Sequence, residues 1–141
     1  MRRINRKRKT TEHDEQAAFV AWCRYQEQNH PMLRYLYAIP NGGHMHIAQA
    51  SKLKAEGVRA GVCDLHLPVP RGISHGLWLE FKSKTGTTTD AQKVWIESMR
   101  ELGHAVYVVR SWEVAAQTIL EYLHQPPARL ATVAIGTDAD H

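Results

Sequence analysis

The sequence predicts an α/β fold: a central mixed β-sheet flanked by helices, in the order α-β-α-β-β-α-β-α. Three observations carry this. Apolar runs of strand length alternate with segments of helical period along the whole central part of the chain. Two strand-like runs, Val62 to Val69 and Gly76 to Ser83, are separated only by Pro70-Arg71-Gly72 and a few neighbours, which makes them a hairpin. The passage from Gly76 to Val109 then has the length of a right-handed parallel crossover, and places the Gly76 strand near the sheet centre.

Each element has its own signal. Thr11 to Gln28 brings Phe19, Trp22 and Cys23 to one helical face, with Thr11 as cap and Asp14 and Glu15 as a negative first turn. Leu33 to Ile39 is rich in aromatic and branched residues and stops at Pro40-Asn41-Gly42-Gly43, so it is expected to be a strand. Helical spacing resumes from His46 to Glu56 through Ile47, Ala50 and Leu53, and Gly57 ends it. After the hairpin, Asp90 to Leu102 is helical, with Ala91, Val94, Trp95, Ser98 and Leu102 expected on the packed side and Gly103 as the stop. Ala105 to Val109 is a short apolar strand, and Ser111 caps a last helix reaching about Leu123. The expected organisation is thus an arm over residues 1–10, one domain over 11–123, and an unassigned tail over 124–141.

Composition narrows the function. The 141 residues are 43% hydrophobic and 23% charged, ordinary for one packed domain and unlike a disordered or fibrous chain. No apolar run approaches a membrane span, and no signal peptide follows the basic N-terminus, so a soluble cytoplasmic protein is expected. Cys23 and Cys63, with no Cys-x-x-Cys spacing, read as two buried thiols. Lys and Arg number 18, but six of them lie between Arg2 and Lys9; the remaining 12 face 14 acids, a balance of −2. The arm is either a phosphate-binding handle or a solubilising tail. No P-loop and no Gly-x-Ser-x-Gly elbow is present, which disfavours nucleoside triphosphate binding and serine hydrolysis.

The chemistry-bearing stretch is Asp64-Leu65, a turn, then Leu79-Glu80-Phe81-Lys82. Side chains alternate along a strand, so Glu80 and Lys82 share one face while Leu79 and Phe81 enter the other layer. In an antiparallel hairpin Asp64 comes close to the end of the Glu80 strand. Two carboxylates and a lysine at one spot suit phosphodiester hydrolysis: hard oxygens hold Mg²⁺ or Mn²⁺, and the lysine holds the attacking water or stabilises developing charge. The triplet alone is also what many solvated strands show.

Its surroundings are more specific. Pro40-Asn41-Gly42-Gly43, the run from Lys54 to Leu65, Glu80-Phe81-Lys82, and Gln92 with Trp95 make the stretch from about Glu12 to Leu123 resemble the VRR-NUC family of the PD-(D/E)xK nuclease superfamily. The resemblance implies a restriction-endonuclease-like fold and a metal-dependent DNA endonuclease. Asp64 and Glu80 would be metal ligands with the Phe81 carbonyl as a third, Lys82 would organise the nucleophile, and Gln92 would support them. A first-helix acid would face the metal, with Glu15 the choice and Glu12 the alternative on the same face. The family usually carries proline where this chain has Cys63. Compact members look like homodimers acting on branched DNA such as Holliday junctions, and a small nuclease of this kind suits a phage. The competing readings are a non-catalytic DNA-binding or assembly module of the same fold, and a nicking or restriction-type enzyme on duplex DNA.

The remaining candidates bear on DNA. Asn41, Gly42 and Gly43 either present backbone N–H groups to a phosphate or form a turn. Lys52, Lys54 and Arg59 either contact the DNA backbone or are solvated. His44 and His46 lack the further ligands a zinc site needs. All four tryptophans, Trp22, Trp78, Trp95 and Trp112, fall on apolar periods and are expected to pack in the core.

Overall fold

A computed structural model describes residues 9–40 and 46–128. Four strands form one sheet in the order β1-β2-β3-β4, with β1 at Tyr37–Ala38, β2 at Leu65–Leu67, β3 at Leu77–Phe81 and β4 at Ala105–Val109. β1 and β2 are antiparallel, as are β2 and β3, whereas β3 and β4 run parallel through the helix between them. The expected mixed sheet, its hairpin and its crossover are all present.

Local chemistry sets the helix boundaries. Thr11 and Asp14 form a reciprocal capping box at the start of α1, Glu12–Gln26. Thr89 and Gln92 do the same for α3, Asp90–Glu101, and Ser111 caps α4, Trp112–His124. α2, Ile47–Ala55, ends at Gly57, whose φ of +105° is the left-handed conformation a glycine takes readily.

Two expectations change. The segment beginning at Leu33 is mostly not strand: Pro31 opens a 3₁₀ turn over Pro31–Tyr35, and only Tyr37 and Ala38 pair with β2. The reason is periodicity. Leu33 and Leu36, both buried, are three apart, which is the repeat of a 3₁₀ turn rather than the two-residue repeat of a strand. On α3 the packed side is carried by Ile96, with Trp95 and Met99 against it, while Val94 and Leu102 are 63% and 62% exposed.

The sheet's two faces have different cores. Leu65 and Leu67 of β2 with Leu77, Leu79 and Phe81 of β3 pack against Phe19 and Cys23 of α1 and Ala115, Ile119 and Tyr122 of α4. On the opposite face, Trp78 of β3 and Val106 of β4 pack against Ile96 of α3. His66 stacks flat on Trp78, its cross-strand neighbour, with ring centres 3.9 Å apart. Burial, then the nearby His104, pushes His66 down to about 4; burial, then His75, lowers His104. Both imidazoles are therefore neutral at ordinary pH. α2 buries no residue and stands apart from both cores. Trp78 is buried as expected; Trp22, Trp95 and Trp112 are each half-buried.

The tip of the hairpin is fastened to the end of α4. The Tyr122 hydroxyl donates to the Val69 carbonyl at 2.5 Å, Arg71 Nε donates to the Leu123 carbonyl, and Gly72 N–H donates to the Pro126 carbonyl at 2.7 Å.

Candidate active site

The sheet's alternation builds the site. Glu80 and Lys82 point to the Trp78 face, opposite Leu79 and Phe81, and the β2–β3 register brings Asp64, one residue before β2, beside the end of β3. Asp64 is held there by the chain it faces: Phe81 N–H donates to its Oδ2 at 2.7 Å, and Ile39 N–H donates to its backbone carbonyl at 2.8 Å. Lys82 Nζ lies 3.6 Å from Glu80 Oε1. Gln92 Nε2 donates to the same oxygen at 2.7 Å while its own Oε1 accepts from Thr89 N–H. Gln92 therefore spans from the capped start of α3 to the carboxylate.

Glu80 and Lys82 are buried charged residues, at 2% and 8% exposure. A carboxylate in such a place is costly unless its oxygens are matched. Glu80 Oε1 is matched by Gln92 and Lys82, but Oε2 is buried with no partner. Its polar neighbour is the other carboxylate. Burial, followed by the Asp64 charge, pushes Glu80 up to about 7; burial raises Asp64 as well, against the opposing pull of the Phe81 N–H. The Asp64 backbone N–H steadies the Glu80 carboxylate in part, and two carboxylates set this close favour a shared proton or a cation. Hard oxygen donors of this kind suit Mg²⁺ or Mn²⁺.

Two glycines make the approach possible. Gly61, at φ +86°, sits against the first turn of α3: a Cβ there would come within 2.6 Å of the Ala91 backbone. Any larger residue would push the Gly57–Asp64 loop off that helix. Gly86 allows the turn after Lys82 to close, with its N–H donating to Ser83 Oγ. Arg110 secures that turn by donating to the carbonyls of Ser83 and Gly86 at 2.5 and 2.7 Å.

The first-helix acids take different positions. Glu12 Oε1 accepts from Ser83 N–H, one residue past Lys82, and its charge reaches Asp64. Glu15 is engaged elsewhere, since its Oε2 accepts from Trp112 N–H at the start of α4 and its Oε1 from the Thr10 hydroxyl. Of the two, Glu12 is thus the acid beside the Asp64–Glu80–Lys82 cluster, and Glu15 joins α1 to α4. Lys9, Thr10, Thr11, Glu12, Ser83, Lys84 and Arg110 line a cavity of about 360 Å³ there, with Glu15 at its wall. Arg110 and Ser83 were not among the sequence candidates. Arg110 follows the residue that registers with Phe81, so the parallel pairing was the signal that could have located it.

The DNA candidates are less gathered. Lys52 and Arg59 are both exposed; Arg59 and Lys54 border a groove of about 950 Å³ between α2 and α3, floored by Leu53, Val58, Val94 and Trp95. Asn41, Gly42, Gly43 and His44 lie outside the described residues, as do Arg2 to Arg8 of the arm and residues 129–141. His46 is the exposed residue preceding α2.

Comparison with known proteins identifies the fold and the family. No curated protein matches the chain significantly. A solved structure described as a VRR_NUC domain protein superposes with a TM-score of 0.73 at 28% identity, over 86% of this chain and 94% of the other. The family model for the VRR-NUC domain matches residues 2–113. With that match spanning most of its length, the chain belongs to the VRR-NUC domain family, a nuclease-type family.

Proposed function

We propose that the protein is a DNA endonuclease that hydrolyses phosphodiester bonds with Mg²⁺ or Mn²⁺. One observation carries the reading most directly: the Asp64–Glu80 carboxylate pair, half-buried at Asp64 and buried at Glu80, with Glu80 Oε2 unpartnered and Lys82 Nζ 3.6 Å from Oε1. Asp64 and Glu80 would hold the cation, with the Phe81 carbonyl at the end of β3 as a third oxygen. A bound cation supplies neutralising charge to the phosphodiester and acidifies water in its coordination sphere.

The chain's own groups do the rest. Phe81 N–H and Gln92 fix the two carboxylates, so little rearrangement is needed when substrate arrives. Lys82 positions the attacking water and opposes the negative charge that builds on the phosphoryl oxygens. Water oxygen bonds to phosphorus, the bond to the leaving sugar oxygen breaks, and that oxygen takes up a proton from solvent, while one proton of the attacking water is released and the other stays on the new phosphate. Glu12, at Ser83 N–H, stands where it can accept that proton.

Substrate choice and assembly belong to the same proposal. We place branched DNA, such as a four-way junction, as substrate and a two-fold homodimer as the acting form, since two sites then face a two-fold junction. The exposed apolar residues Ile47 and Val94 beside the α2–α3 groove favour a second copy over a solvated face. Labelled linear duplex, single strand, flap and four-way junction incubated with Mg²⁺, Mn²⁺ or EDTA test the activity and its preference together. Cation-dependent cleavage with the junction cut fastest is expected, and light scattering should give twice the chain mass. Binding without cleavage under every condition would instead favour a non-catalytic module.

A further inference from the structure

The Trp78 face carries a second polar cluster, beyond the carboxylates. His66 on β2, His104 just before β4, and His75 at the end of the hairpin loop come together beside the start of β3: ring centres of His66 and His104 are 6.3 Å apart, those of His75 and His104 5.8 Å. His66 Nε2 and His104 Nδ1 are both buried without a hydrogen-bond partner. Those two nitrogens border the same small space. A methyl built on Gly76 would lie 3.4 Å from one and 3.5 Å from the other.

The His66 ring is set in place from two sides. It stacks on Trp78, and its Nδ1 lies 2.7 Å from the Tyr37 hydroxyl. In the tautomer whose Nδ1–H donates to that oxygen, the Nε2 lone pair faces the space beside Gly76; an outer partner of this kind is what orients histidine ligands in metal sites. His104 has no partner to give up at Nδ1. Among the described residues no three His, Cys, Asp or Glu side chains already surround one point, so the seat consists of two imidazoles, with the exposed His75 ring 5.8 Å from that of His104.

We infer that His66 and His104, joined by His75, form a second cation site that takes a divalent transition metal of the zinc class and ties β2, the hairpin loop and the start of β4 together. Imidazole nitrogens favour zinc-class ions over the hard cations that the Asp64–Glu80 oxygens suit. The two sites are therefore chemically separate, and this one does not depend on the nuclease reading.

The chain has an internal control. His30 and His124 are also 6.3 Å apart, but neither ring has a buried orphan nitrogen facing the other. Tag-free full-length protein would be titrated with Zn²⁺ by calorimetry in excess Mg²⁺. Visible absorption of the Co²⁺ form would report nitrogen ligation, and melting temperature would report the tie. One equivalent of Zn²⁺ that raises the melting temperature is expected. Stoichiometric binding should be lost in His104→Ala and in His66→Gln. It should persist in Asp64→Asn/Glu80→Gln and in His30→Ala/His124→Ala. Circular dichroism separates a misfolded variant from a folded one that has lost the metal, and the milder His104→Gln repeats the test where the alanine variant fails to fold. Absence of stoichiometric Zn²⁺ in the wild type, or its loss with the carboxylates or with the His30–His124 pair instead, would overturn the site.

Discussion

The two faces of the sheet are made from the same three strands, β2, β3 and β4, yet they meet opposite demands. The face under α1 and α4 is lined by Leu65, Leu67, Leu77, Leu79 and Phe81, and the Tyr122 hydroxyl in its core is matched by the Val69 carbonyl. The face under α3 shares its floor between Trp78 and Val106 on one hand and Asp64, Glu80, Lys82, His66 and His104 on the other, and five buried side-chain atoms among the described residues lack a partner, all of them on this side. Stability is concentrated on one face, and unmet polar valence on the other. A short strand such as β3 can carry both because successive side chains never meet: Glu80 is displayed on a backbone anchored by Leu79 and Phe81.

Breaking the apolar side should cost the most. Phe19→Ala removes a ring that packs on Trp22 and lies 5.7 Å from Phe81; about 3–5 kcal/mol of stability should go, read by denaturant unfolding. On the polar side, Lys82→Ala should lower the cleavage rate by roughly 10²–10³-fold with DNA affinity changed far less, since the amine acts on charge that develops in the transition state. Equal losses in cleavage and binding would place Lys82 in substrate binding instead.

A subtler difference is the pH response. Burial holds Glu80 at about 7, above its unfolded value, so the native state keeps a proton that the unfolded chain has released. Stability from this group is complete below the unfolded carboxyl pKa and is lost as pH rises to about 7; Asp64, raised in the same direction, adds to the trend. The melting temperature in EDTA should fall over that window by several degrees. Glu80→Gln should flatten the fall, and Mg²⁺ should flatten it in the wild type. The smallest effect separates the two first-helix acids. Glu15→Gln weakens the acceptor for Trp112 N–H and should cost about 1 kcal/mol with little change in cleavage, whereas Glu12→Gln should alter cleavage and leave the melting temperature nearly unchanged.

The sequence was most informative where a residue's neighbours along the chain decide its environment. Alternation at Leu79-Glu80-Phe81-Lys82 assigns each side chain its face before any partner is known, and Thr11, Thr89, Ser111 and Gly57 mark helix ends through bonds within a few residues. It was least informative where the deciding partner is remote. Glu15 and Glu12 are equivalent until α4 starts beside one of them, 97 residues away along the chain. Val94 and Leu102 fit an apolar period, yet α3 meets the sheet through Ile96, and α2 does not cover what remains. Leu33 and Leu36 carried a readable spacing, but aromatic neighbours at Tyr35 and Tyr37 resemble a strand by composition.

The clamp between the hairpin tip and the end of α4 has a consequence in time. Val69, Arg71 and Gly72 complete their bonds only with Tyr122, Leu123 and Pro126, some fifty residues further on. On a ribosome, where domains assemble as the chain emerges, Asp64, Glu80 and Lys82 are all made well before the segment that pins the hairpin joining them. A nascent chain would hold every cleavage residue while lacking the fastening that sets their spacing, so its ability to cut should arrive late and abruptly, with the last turn of α4.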